Sequence, residues 1–187
     1  MGLVGLLGLQ GAFLDHIKHL KNLNADYIIV KDSKAIEKID RLIIPGGEST
    51  VMIKFLKMFH MTEALQNRID HGMPVWGICA GSILLADKMD NQKGILNALK
   101  IEVKRNAYGR QLSSERKNID VPLLDRSGFP ALFIRAPRIV SNESKVTILA
   151  ISDNDPVFIQ QEHMIATTFH PELTDDPVFH EYFLNIS

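Results

Sequence analysis

One cysteine in 187 residues leaves no internal disulfide to be made, so packing and hydrogen bonds must hold this chain together. The same scarcity fits a reducing compartment, and a cytoplasmic location is expected. Excess charge of either sign is also missing. With 21 basic against 22 acidic side chains, the net charge of -1 offers nothing to draw nucleic acid or an anionic membrane. No apolar run approaches the ~20 residues that cross a bilayer. The apolar opening, Met1 to Leu9, lacks the basic region of a signal peptide and runs into a polar amphipathic segment, so it reads as a first core strand. Gly2 invites myristoylation, but Leu6 stands where Ser or Thr is required. A phosphate-binding Gly-Lys-Ser/Thr loop and any His/Cys/Asp cluster at metal-ligand spacing are absent too, so no metal and no cofactor are expected. Neither an internal repeat nor a linker interrupts the chain, and one domain over 1–187 is expected.

What is present alternates. Leu3 to Leu9, Tyr27 to Val30 and Arg41 to Ile44 are apolar runs of strand length. Between them Phe13, Ile17 and Leu20 fall at helical spacing, predicting a helix to about Leu23. A helix with Val51, Phe55 and Met58 on its apolar face follows, then another from about Thr62 to His71, closed by Gly72 and Pro74. Strands alternating with helices imply an α/β, doubly wound, three-layer open sheet of flavodoxin-like type, mostly parallel. Beyond residue 100 the pattern changes: Ile101, Val103 and Arg105 alternate, a polar turn and the very polar Ser113 to Asn118 come next, and short β-like runs follow at about 119–121, 129–135, 146–151, 157–161 and 164–169. These read as hairpins and an antiparallel extension of the sheet, with Asp153-Asn154-Asp155-Pro156 as one turn. Asp176 as N-cap and Pro177 as first residue are expected to open a terminal helix carrying Val178, Tyr182 and Ile186 inward.

The thirteen residues from Pro74 to Ala86, PVWGICAGSILLA, carry the chemistry. They predict a buried strand to Ile78, a turn at Cys79 and a helix from Ala80 to Lys88. Gly77 and Gly81 flank the cysteine as in a nucleophile elbow, where a sharp strand-to-helix turn lifts the central side chain clear of the sheet. Such a turn also sets the sulfur at a helix N-terminus, which favours a thiolate. A lone cysteine is otherwise a small buried hydrophobe; the glycine spacing favours the nucleophile. A catalytic cysteine needs a base, and the base needs an orienting group. His170 ends an apolar strand in Thr168-Phe169-His170-Pro171-Glu172, and Glu172 lies within reach of its ring. The other histidines (16, 19, 60, 71, 163 and 180) read as solvated or structural. Pro45-Gly46-Gly47-Glu48-Ser49 is the second piece: attack on an amide makes an oxyanion, and Gly47 with the residue after the nucleophile, Ala80, can supply N–H donors. An ordinary strand-to-helix turn with Ser49 as N-cap is the alternative.

These residues resemble the class I, triad-type glutamine amidotransferases, and within them are similar to the glutaminase subunits of two-protein pyridoxal 5′-phosphate synthases. Six stretches carry the likeness: 7–12 (LGLQGA) with His16, 42–50 (LIIPGGEST), 77–81 (GICAG), 105–111 (RNAYGRQ), 133–137 (FIRAP) and 169–175 (FHPELTD). The resemblance implies that Cys79 attacks the carboxamide of L-glutamine, with His170 as base then acid and Glu172 orienting it. It implies glutamine contacts at Gly46, Gly47, Glu48, Ser49, Arg105, Ile134 and Arg135, an oxyanion hole at Gly47 and Ala80, and a place near a subunit junction for Gln10. The implied partner is a (β/α)8-barrel synthase subunit that receives the ammonia. At 112–116 this chain has Leu-Ser-Ser-Glu-Arg where the family usually carries Asp-Ser-Phe-Glu. A γ-glutamyl hydrolase or peptidase with the same triad, and a non-catalytic regulatory module on the same sheet, are the other readings.

Overall fold

The structure, a computed structural model, describes residues 2–105 and 114–187. Among the described residues, thirteen strands and six α-helices follow in chain order. The first part holds β1 (Val4–Leu7), α1 (Ile17–Asn22), β2 (Tyr27–Val30), α2 (Ser33–Ile36), β3 (Arg41–Ile44), α3 (Ser49–Met58), α4 (Thr62–Asp70), β4 (Val75–Ile78) and α5 (Ala80–Leu85). The second holds β5 (Ala86–Met89), β6 (Gln92–Lys93), β7 (Leu99–Lys104), β8 (Glu115–Val121), β9 (Arg126–Phe133), β10 (Arg138–Asn142), β11 (Thr147–Ser152), β12 (Asp155–Gln161), β13 (Met164–Thr167) and α6 (Val178–Leu184).

A seven-stranded sheet runs β11-β12-β13-β4-β3-β1-β2. Its pairs from β2 through β13 are parallel, and β12 and β11 add to its edge antiparallel. Alternate side chains of each strand feed opposite faces. Leu42, Ile44 and Val75 pack against Met52, Leu56, Leu65 and Leu84 on one side. Ile43, Trp76, Ile78 and Ile165 meet Leu20, Phe129, Phe179 and Phe183 on the other. The three-layer α/β architecture is therefore as expected. Arg41 ties one edge of the sheet to the terminal helix, its Nη1 donating to the carbonyls of Phe183 (2.8 Å) and Leu184 (2.7 Å).

Five local expectations change. The helix after Cys79 stops at Leu85, and residues 86–89 leave it as strand β5, the start of a second sheet ordered β10-β7-β5-β6. Among the described residues only β11 and β12 extend the main sheet; β8 and β9 pair as a separate ribbon, and the polar Glu115 to Asn118, outside the expected β-like runs, are ladder residues of β8. The inward face of α3 is Met52 and Leu56, whereas Val51 and Met58 are exposed. Ser49 is the first residue of that helix rather than its N-cap, which is Glu48. The turn at 153–154 forms as read, with both residues at positive φ between β11 and β12. The N-cap of α6 is Pro177, one residue past the expected Asp176, whose Oδ1 still accepts from the Val178 N–H at 3.0 Å.

Candidate active site

Parallel pairing sets the site. β4 and β13 lie side by side in register, Ile78 opposite Thr167, so both chains leave the sheet at the same rim. The Cys79 N–H donates to the Thr167 carbonyl at 2.8 Å, extending that ladder by one residue. The chain then turns sharply: Cys79 has φ 48° and ψ -100°, a conformation that non-glycine residues hold only where the surroundings impose it. Close approach explains the flanking glycines. A β-carbon on Gly81 would strike the Ile44 carbonyl, and one on Gly77 would sit 2.7 Å from the backbone of Gly81. The Ser82 hydroxyl donates to the Cys79 carbonyl at 2.6 Å and braces the elbow from inside. With only six residues in α5, the helix-end field on the sulfur is smaller than a longer helix would give.

His170 arrives three residues after the end of β13, its N–H donating to the Leu132 carbonyl at 2.9 Å. Its Nδ1 lies 2.6 Å from Oε1 of Glu172; the two side chains are 7% and 0% exposed. Burial opposes a charge on this ring, but hydrogen bonds to Cys79 and Glu172, and the charge of both, outweigh it and raise the pKa to about 10. Nδ1 is thus engaged by the carboxylate, which leaves Nε2 for the sulfur. Cys79, 6% exposed, also contacts the Ile134 carbonyl at 3.8 Å.

In front of the sulfur lies a cleft of about 300 Å³. Of the residues expected here, Gly46, Gly47, Glu48, Ser49, Cys79, Arg105, Ile134, Arg135 and His170 all line it, and so does Gln10, which was expected near a subunit junction. Ala80 and Glu172 stand behind that lining, adjacent to the elbow and the imidazole. The Gly46-Gly47 loop is pinned from the β1 side: the Ala12 N–H donates to the Gly46 carbonyl (3.0 Å), and Gln10 Oε1 accepts from the Glu48 N–H (2.8 Å). A β-carbon on Gly47 would hit that Gln10 oxygen. Across the mouth the guanidinium of Arg135 pairs with Glu48 at 3.1 Å, both half exposed. Arg105 is held by Asp90, which accepts from its backbone N–H (2.9 Å) and from Nε (2.7 Å) and is itself kept low in pKa; some burial raises it, the Arg105 bonds more than reverse that. The remainder of the 105–111 stretch, and Leu112 and Ser113 of the altered segment, lie outside the described residues.

Sequence reasoning missed four lining residues, Ala12, Thr50, Ile83 and Pro137, and Asp90 beside Arg105. Ile83 stands one helical turn from Cys79, so spacing alone could have placed it. It also read His16, His19 and His180 as solvated or structural, yet all three are fully buried together just behind Glu172. Among the described residues no group of His, Cys, Asp and Glu is arranged to hold a metal ion, and no helix is long and apolar enough to cross a membrane.

A model of the SNO glutamine amidotransferase family matches residues 6–187. A protein of Thermotoga sp. (strain RQ2), named pyridoxal 5′-phosphate synthase subunit PdxT, is 46% identical over 184 residues, covering 98% of each chain. A protein of the same name from Clostridium acetobutylicum is 43% identical over 184 residues, 98% of this chain and 99% of that one. Among solved structures, one described as a glutamine amidotransferase superposes with a TM-score of 0.91 at 36% identity, covering 98% of this chain and 97% of that one.

Proposed function

The chain belongs to the SNO glutamine amidotransferase family, and on that premise we propose that it is the glutaminase subunit of a pyridoxal 5′-phosphate synthase. It hydrolyses L-glutamine to L-glutamate and ammonia and passes the ammonia to its synthase partner. The observation that carries this reading is the chain of contacts from Cys79 through His170 to Glu172 at the floor of a cleft lined by Gly46 to Ser49.

Cys79 Sγ attacks the side-chain carbonyl carbon of glutamine, forming a C–S bond while the carbonyl pair moves onto oxygen. The N–H groups of Gly47 and Ala80 receive that oxyanion. His170, holding the proton lost by sulfur, gives it to the departing nitrogen as the C–N bond breaks, releasing ammonia and leaving a γ-glutamyl thioester. Water then attacks the thioester, His170 takes its proton, and collapse returns glutamate and the thiol. Glu172 fixes the ring so that Nε2 faces sulfur through both halves. Arg105, clamped by Asp90, offers its terminal guanidinium nitrogens to the substrate carboxylate, with Glu48, Ser49, Ile134 and Arg135 completing the cleft.

The partner is a (β/α)8-barrel subunit, and Gln10, beside the Gly46-Gly47 loop, lies near the junction. Docking there completes the oxyanion hole by resetting the loop that Gln10 and Ala12 hold. Passing ammonia directly matters because free ammonia at neutral pH is mostly ammonium, a poor nucleophile. We place the pair in the cytoplasm, where a lone free thiol persists. The test is glutamine-dependent ammonia release with and without the synthase subunit, for the parent and for Cys79→Ala. The parent should be stimulated by the partner, and the variant should be silent while still binding it. Ammonia release by Cys79→Ala, or a preference of the parent for γ-glutamyl peptides over glutamine, overturns the assignment.

A further inference from the structure

The carboxylate that orients His170 is carried by a short 3-10 turn, Pro171–Leu173. The carbonyls of His170 and Pro171 are taken up locally, by the N–H groups of Leu173 (3.3 Å) and Thr174 (3.1 Å). The Glu172 carbonyl is met from another element: Nε2 of His19, on α1, lies 3.2 Å from it. Lys18 reaches the same loop at Asp175 (3.2 Å), but that pair is exposed and holds little. His19 is fully buried. The His180 ring stacks on it, with centroids 4.2 Å apart and 21° between the planes, and His180 Nε2 lies 2.9 Å from His16 Nδ1. Trp76 closes the layer, edge-on to His16 and to His180. Packing thus sets the plane of the His19 ring, and its nitrogen meets the catalytic turn. The run of chain leading into α1 touches the other half of the site, where Gln10 Oε1 accepts from the Glu48 N–H and the Ala12 N–H donates to the Gly46 carbonyl.

We propose that His19 is a positioning residue: its Nε2–H donates to the Glu172 carbonyl and fixes the turn from which the Glu172 carboxylate reaches His170 Nδ1. A carbonyl offers only lone pairs, so the nitrogen facing it carries the proton. The partnerless Nδ1 of His19 is then a bare lone pair rather than a wasted N–H. The bond lies in the interior, where water does not replace it once lost. The Glu172 side chain has no second anchor among the described residues: one oxygen is 2.6 Å from His170 Nδ1 and the other is unpartnered. The place of the carboxylate therefore depends on its backbone, and that backbone is held from α1 by His19. Burial, the largest influence on this ring, lowers its pKa; Lys18 adds to that, while the bond to Glu172 and the charges of Glu172 and Asp175 oppose it. The ring donates as a neutral group. Because Gln10, Ala12 and His19 belong to one continuous run of chain, the oxyanion loop and the triad carboxylate are referred to a single support. Loss of the His19 N–H frees the carboxylate and spares the loop, so it acts on proton transfer rather than on glutamine binding.

This inference rests on Glu172 orienting His170, and its first test does not need glutaminase activity. Long-range proton–nitrogen correlation spectra of the chain labelled with nitrogen-15 histidine report each ring's tautomer. His19 should carry its proton on Nε2 at pH 7; a proton on Nδ1 with a lone pair on Nε2 overturns the proposal. The second test is kinetic, with the synthase subunit present. His19→Met, which fills the space without a donor, should lower kcat roughly tenfold with KM for glutamine within about twofold, the scale of one lost buried hydrogen bond. It should also move the His170 titration downward, as the carboxylate loses its fixed place. His19→Gln, whose amide N–H has the reach of Nε2, should restore most of both, a recovery that packing alone would not produce. Parental kcat and parental His170 titration in a folded His19→Met, or equal losses in the two variants, overturn it. If His19→Met does not fold, the tautomer measurement decides. Absence of glutaminase activity in the parent would instead count against the catalytic reading.

Discussion

The imidazole of His170 packs against Gly46 with its Cε1 foremost: a β-carbon built there would stand 3.0 Å from Nδ1 and closer still to Cε1. The glycine that begins the oxyanion loop is thus also the seat of the proton carrier. Gly46→Ala should displace the ring from sulfur while leaving the sheet intact. Glutamine hydrolysis, assayed with the synthase subunit, is expected to fall by at least about a hundredfold, with an unchanged far-ultraviolet circular dichroism spectrum. Parental activity in that variant would show that the ring has room to move.

Stability should decline on both sides of a window near pH 6.5. The His170 pKa is raised from 6.5 to about 10, so its contribution is complete below 6.5 and is lost as pH rises through 10. His16 runs the other way: its pKa is lowered to about 4, so protons taken up by the unfolded chain between 6.5 and 4 remove stability as pH falls. Urea midpoints measured across pH 4 to 10 should therefore slope down at both ends. His170→Asn should flatten the alkaline limb; His16→Gln should make the acid limb shallower without removing it, since burial also lowers His19 and His180, and each variant should leave the opposite limb in place.

Asp90 sits at positive φ in the turn between β5 and β6, and both of its carboxylate oxygens are spent on Arg105. Asp90→Asn keeps the turn but weakens the clamp. The expected result is a KM for glutamine raised by about tenfold with kcat within about twofold, because the affected guanidinium binds ground state and transition state alike. Equal losses in KM and kcat would place Asp90 in the chemistry instead.

Much of this was legible in the residues and some was not, for identifiable reasons. β1, β3, β4 and β13 are buried on both faces, so each reads as a continuous apolar run. The elbow was legible because steric demand writes itself as Gly77 and Gly81, whose replacement would collide with backbone. The face of α3 was not, since Val51/Phe55/Met58 and Met52/Leu56 are both apolar stripes at helical spacing and only the sheet decides between them. Residues 86–89 continue a helical-looking pattern, but pairing of β5 with β6 and β7 overrides it. The Asp90-Asn91 turn carries the same residues as the recognised Asp153-Asn154 turn and was passed over because no apolar alternation flanks it. The histidine layer was beyond reach: His16 and His180 are 164 positions apart, and nothing in their neighbours announces that they meet.

Trp76 is the single tryptophan of the chain, with Nε1 on the Thr167 hydroxyl (3.3 Å) and both His16 and His180 at its edge. Indole emission is quenched by a neighbouring imidazolium and spared by a neutral ring. The protein therefore carries a built-in optical gauge of whether a charge has entered the layer behind its carboxylate. Steady emission from pH 9 down to about 5, followed by loss toward pH 4, would let a fluorimeter follow that event without any label.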